Sequence, residues 1–92
     1  MLKVINPATG RQINEVAAAT PADIDATMER SEAAYRQWRH TSFAERAELL
    51  QKVARHMRDN VETLAPLMTE EMGKSIKEAR GEVIKAAWCA EH

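Results

Sequence analysis

From Thr20 onward the apolar residues return at steps of three and four, and that period commits most of the chain to helices. Ile24, Met28, Ser31, Tyr35 and Trp38 lay one mostly apolar stripe along a first helix of about residues 21–39. Thr20-Pro21-Ala22-Asp23 starts it: Thr20 accepts a backbone N–H, and Pro21 suits the first helical position, where its missing donor is not needed. Ser42-Phe43-Ala44-Glu45 is a capping box, with Ser42 as the cap and Glu45 reaching back to its amide. It opens a second helix to about Asn60, carrying Phe43, Ala47, Leu50, Val53, Ala54, Met57 and Val61. Val61, Leu64, Met68 and Met72 make a third stripe, which Pro66 deprives of one donor and bends near its start. Gly73 stands where a left-handed C-cap belongs. Ser75-Ile76-Lys77-Glu78 reads as a second capping box. The fourth helix then carries Ile76, Ala79, Val83, Ala86, Ala87 and Ala90, widened by Ile84 and Trp88, with Gly81 costing about 1 kcal/mol relative to Ala.

Ahead of the helices, Lys3-Val4-Ile5 and Ile13-Asn14-Glu15-Val16 flank Asn6-Pro7-Ala8-Thr9-Gly10. Pro7 pre-sets its own φ and Gly10 takes a positive φ without strain, so the segment reads as a β-hairpin. A lone hairpin is unstable in water and needs something to lie against. The expected fold is mostly α, four helices with an N-terminal β-hairpin: one module, residues 1–92, of which 1–19 are hairpin and 20–92 helical. A compact domain of this size buries roughly 60–65% of its unfolded surface and is marginally stable. No internal repeat or low-complexity tract appears. The helical period is still running at Ala90-Glu91-His92, where no Gly, Pro or Asn closes it, so the chain is expected to be part of a larger fold.

Thirteen basic residues face 14 acidic ones, a formal charge of -1, and this balance argues against nucleic acid or an anionic membrane as partner. The single cysteine, Cys89, forms no internal disulfide, which fits a reducing compartment. No stretch has signal-peptide or bilayer-spanning length, so a cytoplasmic protein is expected.

Local chemistry points to no reaction centre. Gly73-Lys74-Ser75 matches the tail of a phosphate-binding loop, but Met68 stands where the first glycine is required, and the run before Gly73 is helical. The other glycines are Gly10 and Gly81, so no dinucleotide fingerprint exists. His40, His56 and His92 are too scattered for a metal site and read as solvated. Cys89 sits at a helix C-terminus, where the dipole disfavours a thiolate; even with His92 three residues on, it reads as a small buried thiol. Glu70 and Glu71 point apart on a helix rather than forming an acid–base pair. Tyr35, Trp38, Phe43 and Trp88 read as packing residues. No catalytic, cofactor-binding or metal residue is assigned.

The order of these signals resembles the N-terminal region of the aldehyde dehydrogenase superfamily. The resemblance rests on Asn6-Pro7-Ala8-Thr9-Gly10, Thr20-Pro21-Ala22-Asp23-Ile24, Trp38-Arg39 and Ala44-Glu45-Arg46-Ala47-Glu48-Leu49-Leu50. It continues through Glu71-Met72-Gly73-Lys74 and Glu78-Ala79-Arg80-Gly81-Glu82-Val83 and covers essentially the whole chain. Glu71-Met72-Gly73-Lys74-Ser75, with Ala87-Trp88-Cys89-Ala90-Glu91-His92, is similar to the succinate-semialdehyde dehydrogenase branch. The resemblance implies a fragment of an α/β fold, the N-terminal portion of its cofactor-binding domain. It implies a parent that oxidises an aldehyde to a carboxylate with NAD or NADP, through a cysteine thiolate, a water-activating glutamate and an oxyanion-binding asparagine. All of these lie downstream of this region, and Cys89 does not match the nucleophile motif. The implied partner is the remainder of the dehydrogenase chain, or a second copy through the apolar helix faces. Two other readings remain: a stand-alone helical interaction module, and a small enzyme using Cys89.

Overall fold

A computed structural model describes all 92 residues. Strands β1 (Leu2–Ile5) and β2 (Gln12–Val16) form an antiparallel hairpin, each one residue longer than the pattern of Ile and Val implies. The register pairs Val4 with Asn14 and Ile5 with Gln12, so a bulge falls at Ile13. The connecting turn is built by Asn6. Its side-chain oxygen accepts from the amides of Ala8 (2.9 Å) and Thr9 (3.3 Å), and its carbonyl accepts from Gly10, which takes φ 73°.

Four helices follow: α1 (Pro21–Trp38), α2 (Phe43–Asp59), α3 (Val61–Met72) and α4 (Ile76–Glu91). Three of their starts carry side-chain caps. Ser42 and Glu45 form the reciprocal box, at 3.1 and 2.7 Å. Thr20 forms one as well, because Asp23 returns a carboxylate to the Thr20 amide at 2.8 Å. The expected box at Ser75 is only half made: Ser75 accepts from the Glu78 amide at 3.2 Å, but the Glu78 side chain does not reach back. Gly73 closes α3 in the left-handed conformation, φ 74°, as its position implies.

Packing is confined to α2, α3 and α4, which lie side by side with α4 against both others. The residues at their contact are small. Ala54, Ala65, Ala79, Val83 and Ala87 are the only buried residues of the chain, and Met57, Val61, Leu64 and Met68 pack partly against them. Alanines let helix backbones approach closely, but each hides little more than a methyl group, worth about 0.8 kcal/mol against about 1.5–3 kcal/mol for a larger aliphatic. Helix α1 buries no residue. Its stripe of Ile24, Met28, Tyr35 and Trp38 faces solvent, contrary to the burial that its spacing implies.

The result is a slab, 48 × 36 × 14 Å, with a radius of gyration of 17.3 Å where a compact chain of this length has about 12 Å. It exposes 7566 Å², against about 5400 Å² for a compact protein of 10.3 kDa. Folding therefore hides only about half of the unfolded surface rather than the roughly 60–65% expected for a closed domain. Domains are built from at least two packed layers, and here the helices form one.

The hairpin meets the helices where its turn approaches the α3–α4 corner. A Cβ added at Gly73 would lie 2.9 Å from Pro7 Cγ and 3.7 Å from Pro7 Cβ. Gly73 thus serves both the cap and the close approach. Gly73→Ala is expected to destabilise the chain by about 1–2 kcal/mol from the left-handed backbone alone, plus the displacement of Pro7. In a Pro7→Ala background, which removes Cγ, the loss should shrink; chemical denaturation of the four variants of the cycle checks this.

Candidate functional site

The positions that the sequence offers for chemistry stay apart in three dimensions. Lys74 reaches across the α3–α4 turn and pairs with Glu82, so the cation beside Gly73 is engaged within the fold. None of the three glycines lines a strand-to-helix turn. Gly10 is in the hairpin, Gly73 closes a helix, and Gly81 lies inside α4. These positions do not form a cradle for a dinucleotide pyrophosphate. His40, His56 and His92 are all exposed, and no three His, Cys, Asp or Glu side chains converge. Glu70 and Glu71 are both exposed.

Two expectations are corrected. Cys89 is an exposed thiol rather than a buried one, because α4 turns Ala79, Val83 and Ala87 toward its neighbours and Cys89 away. It shares an open surface hollow with Lys85, Trp88 and His92. The four aromatics are not interior either; Phe43 is 88% and Trp88 68% exposed, and Tyr35 and Trp38 stand open on α1. Their helical spacing reads as packing, but no second layer lies over those faces here.

Three arrangements that spacing does not announce organise the surface. Arg58 makes a two-pronged pair with Glu91, at 2.6 and 3.0 Å, and Gln51 donates to the Glu91 carbonyl at 3.3 Å. Together they hold the end of α4 on α2. Arg80 grips Glu62 in the same manner, at 2.8 and 3.2 Å, tying α4 to α3. At the α1–α2 corner, Arg46 Nε donates to Thr41 Oγ1 at 2.8 Å and its terminal nitrogen to the Trp38 carbonyl at 3.1 Å. Its guanidinium lies 5.3 Å from the Trp38 ring centroid. No recognisable sequence pattern precedes these partners, since they lie on different helices or across a loop.

The most apolar hollow is an open groove of about 390 Å³ between α2, α3 and α4, lined by Met57, Leu64, Leu67, Met68, Met72 and Val83, with Glu71 as its one charged wall. It holds no nucleophile and no acid–base pair, so its chemistry is that of packing. A wider and shallower hollow on α1 is lined by Tyr35, Trp38 and polar residues. No helix is long and apolar enough to cross a membrane.

The Aldehyde dehydrogenase family matches residues 1–92, the full length, and the chain belongs to that family. It is 41% identical to the succinate semialdehyde dehydrogenase [NAD(P)+] of Escherichia coli, over 96% of this chain and 20% of that protein. It is 40% identical to malonate-semialdehyde dehydrogenase 2 of Bacillus cereus, over 99% of this chain and 19% of that protein. A succinate-semialdehyde dehydrogenase [NADP(+)] of Deinococcus radiodurans is 40% identical over 90% of this chain and 17% of that protein. The chain thus spans about one fifth of the length of the curated relatives it matches.

Three carboxylates, Asp23, Glu62 and Glu91, have their pKa lowered from the ordinary values. Asp23 is lowered by the Thr20 amide and hydroxyl, Glu62 by hydrogen bonds from Arg80, and Glu91 by those from Arg58. A carboxyl whose folded value is depressed stabilises the fold above its unfolded pKa, and that contribution is lost as pH falls through the folded value. Helix content followed by circular dichroism should therefore be flat through neutral pH and fall as acid passes below the ordinary carboxylate range. Combining Glu62→Gln with Glu91→Gln should flatten that acid limb, and the effect should be modest because Asp23 and Glu62 are exposed and Glu91 is only partly covered.

Proposed function

We propose that residues 1–92 are the N-terminal scaffold of an NAD(P)-dependent aldehyde dehydrogenase that acts on a semialdehyde, succinate semialdehyde in particular. They would form the first portion of its cofactor-binding domain. The observation that carries this reading is the match of the whole chain to one fifth of semialdehyde dehydrogenases at 40–41% identity. The single-layer slab supports it, because such a layer needs a covering body of the kind the rest of an α/β enzyme supplies.

In this reading the nucleophilic cysteine, the water-activating glutamate, the oxyanion-binding asparagine and the dinucleotide site all lie outside residues 1–92. The overall reaction converts aldehyde, water and NAD(P)+ to carboxylate and NAD(P)H, with release of protons. Residues 1–92 contribute no step to it. Their work is to present the faces of α1–α4 to the body that carries the chemistry. Cys89 takes no part in this reading: it is an exposed thiol near the C-terminal end of α4.

An antibody raised against residues 1–92 tests the reading in the source cells. The expected product has about five times the mass of the 10.3 kDa chain, from the one-fifth coverage of its relatives, and its immunoprecipitate reduces NAD+ or NADP+ when given succinate semialdehyde. The isolated 92-residue chain, and its Cys89→Ala variant, should show no such activity. A sole product near 10.3 kDa would instead favour a stand-alone helical interaction module.

A further inference from the structure

We draw no further inference here: the strongest candidate, the methionine-walled groove between α2, α3 and α4, carries none, because nothing in the structure shows what covers it.

Discussion

The close approach of α4 to α2 and α3 depends on alanine. Ala54, Ala65, Ala79 and Ala87, with Val83, let three helix backbones lie side by side in one layer, and the rest of the structure follows from that choice. Small side chains at the seam leave the large ones, Leu49, Leu50, Leu67, Ile84 and Trp88, exposed on the faces of the layer. A seam of methyl groups supplies proximity and little hydrophobic stabilisation. The paired guanidiniums of Arg58 and Arg80 then fix the register of α4 against its two neighbours, a geometric role more than an energetic one for such exposed pairs.

How much was legible in the sequence divides along the same line. The hairpin, four helices, the reciprocal cap at Ser42 and the left-handed Gly73 are local, and each follows from residues close together in the chain. Which apolar stripes are covered is not local. The period of α1 and that of α4 look alike, yet α1 buries nothing while α4 buries Ala79, Val83 and Ala87. Periodicity marks a face that wants covering without saying whether the cover lies in the same 92 residues. The same gap explains Cys89 and the aromatics, whose spacing reads as interior and which are exposed. The Arg46 clamp and the approach of Pro7 to Gly73 bring together residues with no pattern to connect them. The half-made box at Ser75 shows a smaller limit, since a Glu at the right spacing still has other rotamers open to it.

Family membership and physical form agree on what kind of object this is. The chain belongs to the aldehyde dehydrogenase family, spans about one fifth of its curated relatives, and has the open faces of a layer rather than the closed surface of a domain. Its glycines serve a turn, a cap and a helix interior rather than a phosphate cradle, and Asp23, Glu45, Glu62 and Glu91 are engaged in caps and inter-helix pairs. Its most distinctive surface features are a methionine-walled groove and an aromatic stripe.

Amide hydrogen exchange on the 92-residue chain, diluted until it is monomeric, tests the claim that a thin alanine seam is all that holds the fold together. Amides of α2, α3 and α4 around Ala54, Ala65 and Val83 should keep the greatest protection, and those of α1 should exchange nearly as fast as an isolated, fraying helix. Equal, strong protection across α1 and α2–α4, lost in one cooperative step, would show a closed core and contradict the account.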